Sequence, residues 1–246
     1  MEKKKEWYYD EFKHVGADYN DLAEVKNYDK KMQRIRDIKK ENAEILSLIN
    51  LEKDHRLLEV GCGTGEFSIA AAKKCKEVVA LDISKKMLEY AGEKAYEAGI
   101  NNIRFVNSGF LSFDNNEEPF DAIVTSLVMH HLPDFWKTIA LKRAYNFLKD
   151  DGLLYIFDVI FSFGLNEYED SLNEWVDSMP EDKITGRVKS HIKDEFSTTS
   201  FIMECILKEA GFTIEDKKFN GGVYASYLCR KGKKINNREG LFSYYF

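Results

Sequence analysis

The sequence predicts an α/β fold in which helices cover both faces of a mostly parallel sheet. Short apolar runs alternate with helix-like segments along most of the chain, and glycines separate several of them. Such alternation is typical of βαβ units in a doubly wound sheet. Two further apolar runs flank Asn220-Gly221-Gly222, a turn that favours an antiparallel hairpin. We therefore expect five parallel strands completed by a C-terminal antiparallel pair, which makes a seven-stranded sheet.

The predicted elements follow one another in a regular order. Strands are expected near 56–60, 77–82, 103–106, 120–127 and 152–160, and again at 212–219 and 223–230. Helices are expected near 65–75, 84–98, 133–149 and 199–210. Gly99 and Gly152 fall where two helices should end, and Asp134, just after Pro133, lies where one should begin.

Composition is typical of a globular domain with a sizeable core. At 246 residues and 44% hydrophobic content, the chain can bury the core of one large α/β domain. No run approaches the ~18 apolar residues of a membrane span, and the N-terminus lacks the apolar stretch of a signal peptide. We expect a cytoplasmic protein with no membrane partner. The net charge is −6 and basic residues mostly alternate with acids, so no nucleic-acid partner is expected.

Cysteine and histidine spacing gives no sign of a metal centre. The four cysteines form no Cys-x-x-Cys pair, so neither a zinc cluster nor a disulfide framework is expected. His191 and Glu195 are spaced like a metal-binding pair on a helix, but no third ligand is evident beside them. We therefore predict no metal.

A glycine-rich turn follows the first predicted strand. Glu59 is followed by Gly61, Gly63 and Gly65, where the apolar strand turns into a helix. Glycines at such a turn let backbone N–H groups approach a ligand, and the following helix points its positive end at it. A dinucleotide fingerprint needs a third glycine one position later, where this chain has Glu66, so the spacing weakens a nicotinamide interpretation.

A second acidic marker ends the next predicted strand. Asp82 follows the apolar run 77–81, seventeen residues after Gly65. A carboxylate there can accept two hydrogen bonds from a ribose diol. The alternative is that Asp82 only caps the helix that starts near Ser84.

The glycine turn and the strands after it resemble the class I S-adenosylmethionine-dependent methyltransferases. The match starts at Glu59-x-Gly-x-Gly-x-Gly, continues through 82–88, 120–126, 128–132 and 147–156, and covers roughly residues 40–231. Residues 109–111, 130–137 and 195–198 resemble a bacterial subgroup of small-molecule methyltransferases. The resemblance implies a Rossmann-like fold with S-adenosylmethionine as cofactor and S-adenosylhomocysteine as product. It implies that Glu59 binds the methionine ammonium group and that Asp82 binds the ribose.

The resemblance also implies the rest of the cofactor site. Ile83 and Met87 would give apolar cover for the adenine. Many family members carry an Asp after strand three that meets the adenine amino group, whereas this chain has Asn107-Ser108-Gly109-Phe110. We expect backbone groups at Gly109 and Phe110 to border the base, with Asn107 or Ser108 supplying a polar contact. The expected cofactor set is Glu59, Gly61, Cys62, Gly63, Gly65, Asp82, Ile83, Met87, Gly109, Phe110 and Ser126.

The residue pattern along the chain divides it into four expected segments. They are an N-terminal helical segment (1–50), a cofactor-binding core (51–163), a helical insertion (164–198) and a helix with hairpin that completes the sheet (199–246). In this family the first and third commonly form a lid over the substrate. The expected substrate and lid residues are Tyr8, Tyr9, Tyr19, Tyr28, His131, Phe163, Tyr168 and Trp175.

The predicted chemistry is methyl transfer to a small organic acceptor at O, N, S or C. Alignment of the acceptor against the methyl group can supply up to ~7–11 kcal/mol, so a base is optional. For a hydroxyl or protonated amine, His130 is the candidate base and His131 is expected to be structural. Asp158 either faces the substrate or caps the next loop. The alternatives are a non-catalytic S-adenosylmethionine-binding protein and, less favoured, a nicotinamide-dependent oxidoreductase. Oligomeric state is not predicted.

Overall fold

A computed structural model describes residues 6–13, 22–34, 36–179 and 182–232 of the chain. The helices are α1 Leu22–Met32, α2 Ile38–Ile49, α3 Glu66–Ala72, α4 Lys85–Glu97, α5 Asp134–Phe147, α6 Tyr168–Asp177, α7 Asp182–Asp194 and α8 Ser200–Ala210. The strands are β1 Arg56–Val60, β2 Glu77–Asp82, β3 Ile103–Asn107, β4 Phe120–Ser126, β5 Leu148–Phe161, β6 Thr198–Thr199, β7 Phe212–Asn220 and β8 Tyr224–Lys231. Short 3₁₀ turns lie at Met129–His131 and Leu165–Glu167.

The long strands form one sheet in the order β3-β2-β1-β4-β5-β8-β7. The first five run parallel, and β8 is antiparallel to both β5 and β7. The predicted doubly wound sheet with a C-terminal antiparallel hairpin is confirmed. The two-residue β6, which sequence reasoning did not predict, pairs with the end of β5.

Helices pack on both faces of this sheet and explain its apolar strands. Leu58, Ile123 and Ile156 lie in a core shared with α5 and α8. Leu57 and Val124 lie in the opposite core, which α2 and α3 cover. Strands buried on both faces read as continuous apolar runs, which is why they were recognisable in the sequence.

The end of α5 differs from the prediction. Helix α5 ends at Phe147 and β5 begins at once, so Gly152 lies inside a strand and not at a helix end. The register shifts between the Phe120 and Ala122 pairs, and residues 149–152 bulge from the ladder. A Cβ on Gly152 would stand 2.9 Å from the Lys149 carbonyl oxygen, so this glycine permits a close backbone approach. Gly99, by contrast, follows the end of α4 with φ +68°, as predicted.

The insertion after β5 forms a third, smaller apolar cluster. Trp175 of α6 and Val188 of α7 pack with Val159 and Val223 at the end of β5 and the start of β8. This cluster places α6 and α7 beyond the carboxyl end of the sheet. No helix in the described ranges is both long enough and apolar enough to cross a bilayer.

Candidate cofactor and acceptor site

The glycine turn lies between β1 and α3, with all three glycines in the left-handed region. Their φ angles are +78° at Gly61, +51° at Gly63 and +77° at Gly65. The N–H groups of Gly61 and Cys62 both donate to the Leu81 carbonyl oxygen, each at 2.8 Å. These two bonds fix the turn to the end of β2.

Two of the three glycines are required by packing, and the third leaves space beside the turn. A Cβ on Gly61 would overlap the Val128 side chain, whose Cβ and Cγ1 lie 3.2 and 3.3 Å from its position, and a Cβ on Gly65 would lie 2.9 Å from Ala91 Cβ. Those two positions need glycine for packing. A Cβ on Gly63 would meet no atom of the described residues within 4 Å. Among those residues Gly63 borders open space, which fits a turn shaped around a ligand.

Glu59 lies on β1 just before the turn. It is buried, and Ser68 Oγ on α3 donates a hydrogen bond to its Oε2. Burial, reinforced by the Asp82 carboxylate, raises the pKa of Glu59 to about 8. A buried carboxyl group with so high a pKa is suited to receive a cationic ligand group, since a positive charge would restore its ionised form.

Asp82 organises the turn at the end of β2. The Gly63 N–H donates to its Oδ2 and the Ser84 N–H to its Oδ1, both at 2.8 Å. The helix cap itself is Ser84, whose hydroxyl accepts from Met87 N–H. Asp82 is therefore not the cap of α4. A carboxylate oxygen can accept more than one hydrogen bond, so the ribose role of Asp82 stays a prediction.

The side chains after β3 are occupied within the protein. Asn107 Nδ2 donates to the carbonyl oxygens of Asp82 and Ile83 at 3.0 and 2.9 Å. The Ser108 and Ser112 hydroxyls are 2.7 Å apart, and Ser112 Oγ also accepts from Gly109 N–H. These bonds brace the loop and do not favour Asn107 or Ser108 as the polar contact to adenine.

Glu11 supplies a carboxylate at this same loop, which sequence reasoning missed. Leu111 N–H donates to its Oε2 at 2.9 Å, and a Cβ on Gly109 would lie 2.7 Å from its Cδ. The Glu11 side chain thus occupies the space where a side chain of residue 109 would begin. Its Oε1 is buried and has no hydrogen-bond partner within the described part of the chain. Nothing in the local sequence signals this long-range contact.

Other N-terminal residues lie along the same edge of the sheet. The Tyr8 hydroxyl donates to Leu111 O at 3.4 Å and the Tyr9 hydroxyl to His131 O at 3.0 Å. Burial raises the pKa of Tyr28, and the Asp82 carboxylate is close enough to raise it further. Tyr19, also predicted for the lid, lies outside the described residues.

Asp158 holds the loop that follows β4. Its Oδ2 accepts from the N–H groups of Val128 and Met129 at 3.0 and 2.6 Å, and its Oδ1 lies 2.5 Å from His130 Nδ1. It is 1% exposed. Burial opposes its charge, but His130 and the backbone N–H groups outweigh burial and hold the pKa of Asp158 below its ordinary value. This geometry favours the loop-capping interpretation and makes Asp158 a positioning residue.

His130 lies between two carboxylates. Its Nδ1 meets Asp158, and its Nε2 lies 3.2 Å from Glu195 Oε2. Burial disfavours the charged ring, but the Asp158 carboxylate outweighs it and raises the pKa of His130. Burial, together with the neighbouring His130, lowers the pKa of His131 to about 4, so His131 is neutral near pH 7.

The remaining predicted residues lie either in the cofactor crevice, at the carboxyl ends of β1 to β4, or in the insertion after β5. Met87, Phe110 and Cys62 are buried, and burial raises the pKa of the Cys62 thiol well above its ordinary value. Ile83 and Ser126 are half-buried at the ends of β2 and β4. Among the predicted lid residues, Phe163 packs on Phe161 and Trp175 lies edge-on to Phe161. Tyr168 is half-exposed and bonds Glu169.

Comparison with known proteins identifies the domain that carries this crevice. A family model described as a methyltransferase domain matches residues 57–152. A demethylmenaquinone methyltransferase of Staphylococcus carnosus (strain TM300) is 28% identical over 245 residues, covering 91% of this chain and 92% of that protein. The methyltransferase YcgJ of Bacillus subtilis (strain 168) is 31% identical over 105 residues, which span 43% of this chain and 41% of that protein.

A solved structure confirms the fold. The S-adenosylmethionine-dependent methyltransferase from Clostridium acetobutylicum ATCC 824 superposes with a TM-score of 0.66 at 20% identity, covering 87% of this chain and 99% of that one. The family model, the sequence relatives and the crevice geometry agree with one another. Residues 57–152 form a methyltransferase domain, and the chain is similar along most of its length to S-adenosylmethionine-dependent methyltransferases.

Proposed function

We propose that this methyltransferase acts on a small apolar or aromatic organic acceptor, bound beyond the carboxyl ends of β4 and β5. The observation that carries the acceptor class is the ring cluster there: Phe157 stacks on Tyr224 with centroids 5.8 Å apart, and Trp175 lies edge-on to Tyr224 and Phe161. Aromatic walls exclude water and stack on planar organic molecules. The demethylmenaquinone methyltransferase relative, aligned over 91% of this chain, supports the same class.

We assign the cofactor to the glycine turn after β1 and to the carboxylates beside it. Glu59 holds the methionine ammonium group, Asp82 the ribose diol, and Gly63 leaves room for backbone approach. S-adenosylmethionine supplies an electrophilic methyl group when bound. Glu11 Oε1 is buried beside Gly109 with no hydrogen-bond partner among the described residues, and it accepts a hydrogen bond from the adenine amino group. This assignment gives a partner to a carboxylate oxygen that is otherwise costly to bury.

The acceptor side is assigned to the loop after β4. Asp158 fixes the His130 ring through Nδ1, and for a hydroxyl acceptor His130 receives the proton at Nε2. Tyr8, Tyr9 and Tyr28 form the N-terminal part of the lid. The Tyr8 hydroxyl anchors this segment to the loop after β3 at Leu111 O, and the Tyr9 hydroxyl anchors it to the loop after β4 at His131 O.

Binding measurements test the cofactor assignment with a matched pair of variants. Gly63 and Gly221 both have positive φ, and at each an added Cβ meets no atom within 4 Å. Gly63→Ala and Gly221→Ala therefore carry similar backbone strain. Calorimetry with S-adenosylmethionine, S-adenosylhomocysteine and NAD should give binding of the first two. Affinity should fall at least about tenfold in Gly63→Ala and stay unchanged in Gly221→Ala.

An acceptor screen then tests the reaction. Quinols, phenols, thiols and amines would be incubated with enzyme and S-adenosylmethionine, and S-adenosylhomocysteine formation measured. Turnover confined to apolar or aromatic acceptors supports the proposal. Hits that are all small and highly charged would contradict the acceptor class. Normal cofactor binding without turnover on any acceptor would favour the non-catalytic binder, and tight NAD binding would favour the oxidoreductase.

A further inference from the structure

One buried carboxylate oxygen faces three imidazole rings beside the acceptor loop. Glu195 Oε2 lies 2.7 Å from His191 Nδ1, 3.2 Å from His130 Nε2 and 3.8 Å from His131 Nδ1. The side chains of Glu195, His130 and His191 are 10%, 9% and 12% exposed. Such a concentration of imidazoles on one oxygen is unusual for a simple ion pair.

Hydrogen bonding does not account for this oxygen. None of the three nitrogens meets Glu195 Oε2 with hydrogen-bond geometry, and the atom has no other partner in the described part of the chain. Its contacts to the imidazoles are favourable only where a ring carries a proton, and a shared cation would satisfy the carboxylate without one. The ligand atoms of His130, His191 and Glu195 all lie within 4.8 Å of one another. Ligands of a tetrahedral zinc ion, each ~2.0–2.2 Å from the metal, lie about 3.3 Å apart.

The far nitrogens of both candidate ligand rings already have partners. His130 Nδ1 lies 2.5 Å from Asp158 Oδ1, and His191 Nε2 lies 2.6 Å from Ser197 Oγ. Histidines that ligate metals almost always bond a carboxylate, carbonyl or hydroxyl in this way, because the bond fixes the ring. With an ion at Nε2, His130 and Asp158 would complete the carboxylate–histidine–metal arrangement common in metalloproteins.

The loop that carries Glu195 is held firmly against the acceptor loop. Phe196 N–H donates to His130 O at 2.8 Å, and buried Lys137 donates to Phe196 O at 2.5 Å. Thr198 Oγ1 donates to Asp134 Oδ2 at 3.2 Å. A site on a braced scaffold keeps its ligands in place without an ion.

We propose that His130, His191 and Glu195 bind a divalent transition-metal ion of the zinc class. Two imidazoles with one carboxylate suit zinc, cobalt or iron(II), whereas magnesium and calcium prefer all-oxygen sites. Three protein ligands leave a coordination position for a heteroatom of the acceptor. With the ion bound, His130 Nε2 is a ligand and not a proton acceptor, so metal content decides which role His130 plays.

Cobalt(II) titration of the full chain tests the site. The protein at pH 7.5 would be titrated with cobalt(II) chloride, followed by visible absorption, because four- or five-coordinate cobalt(II) absorbs far more strongly than the hydrated ion. Competition with a chromogenic chelator would give the zinc affinity. We expect one equivalent, with micromolar or tighter affinity. His191→Ala and Glu195→Gln should each weaken binding at least 100-fold, and Asp158→Asn about 10- to 100-fold.

A second acidic and histidine cluster provides the matched control. Glu52, Asp54 and His55 also place three ligand atoms together, but two of them are exposed and they lie between α2 and β1. His55→Ala should leave the cobalt spectrum unchanged, and S-adenosylhomocysteine affinity would verify that each variant is folded. Absence of a saturable cobalt band in the wild-type protein overturns the proposal without any variant. Undiminished binding in folded His191→Ala also overturns it. Metal binding is measured without the cofactor, so failure here is distinct from failure of the proposed methyl transfer.

Discussion

Binding of S-adenosylmethionine should release a proton from Glu59. Burial raises the pKa of this carboxyl to about 8, so at pH 7 the free protein holds it mostly protonated. Pairing with the methionine ammonium group requires the carboxylate. The proton must therefore leave as the ligand binds.

The size of the effect follows from the shifted pKa. With a pKa of about 8 in the free protein and an ionised carboxylate in the complex, about 0.9 proton is released at pH 7. Ionisation of Glu59 alone should raise the affinity about 25-fold between pH 6.0 and pH 7.5. The rise should level off above pH 8, where the ligand amine also begins to lose its proton.

The raised pKa of Glu59 also predicts how the stability of the free protein depends on pH. The native state keeps the Glu59 proton up to about pH 8, whereas the unfolded chain releases it near 4.5. Between these values the native state binds more protons, so stability falls as pH rises, by at most about 5 kcal/mol. Glu59→Gln should remove this fall and stabilise the free protein at pH 8.

Calorimetry in two buffers of different ionisation enthalpy measures the released proton directly. Urea unfolding from pH 5 to pH 8 measures the stability of wild type and Glu59→Gln. The glutamine variant should bind S-adenosylmethionine more weakly and without proton release. Equal proton release in wild type and Glu59→Gln would refute the reasoning, as would parallel stability profiles.

Three further changes test other parts of the site. Gly61→Ala should cost about 2–5 kcal/mol from backbone strain and overlap with Val128, and adding Val128→Ala should recover about 1–3 kcal/mol relative to additivity in urea unfolding. Strict additivity would contradict the overlap. Asp29→Ala removes the partner of Thr64 Oγ1 (2.5 Å) and of Lys94 Nζ (2.7 Å), and should lower the free energy of unfolding by about 1–3 kcal/mol. Lys86→Ala, which breaks an exposed ion pair, is the control and should cost under about 1 kcal/mol. Glu11→Gln should weaken binding of S-adenosylhomocysteine by about 1–3 kcal/mol and reduce discrimination against its inosine analogue, with exposed Glu6→Gln as the unchanged control.

Local patterns predicted the sheet and the cofactor side because both depend on residues close in sequence. The glycine turn is a run of seven residues from Glu59 to Gly65, and its geometry is fixed by backbone angles that glycine alone adopts easily. Gly152 was misinterpreted because a glycine that permits close backbone approach looks the same in sequence as one that ends a helix. Only the position of Lys149 O distinguishes them.

The histidine–Glu195 cluster and the Glu11 contact could not be predicted, because each joins residues that are distant in sequence. His191 and Glu195 formed a visible pair, but their third partner, His130, lies about sixty positions earlier and arrives only because β6 pairs with the end of β5. Glu11 reaches Leu111 across 100 residues. No periodicity or motif encodes such contacts, since they arise from how the insertion and the N-terminal segment pack on the sheet.

The loop after β4 contacts both the glycine turn and the His130 ring. Val128 blocks any side chain at Gly61 in the cofactor turn, while its N–H group is held by Asp158, which also fixes His130. Leu127, just before it, takes φ +57°, a costly conformation for a leucine that persists because Phe157 O accepts its N–H at 2.8 Å. Because interiors are close-packed, a shift of the glycine turn must move Val128 and with it the His130 ring. We therefore expect this one strained loop to couple the proposed cofactor site to the proposed acceptor site. A variant that relaxes Leu127, such as Leu127→Gly, should disturb both cofactor affinity and metal affinity, whereas independent halves would show a change in only one.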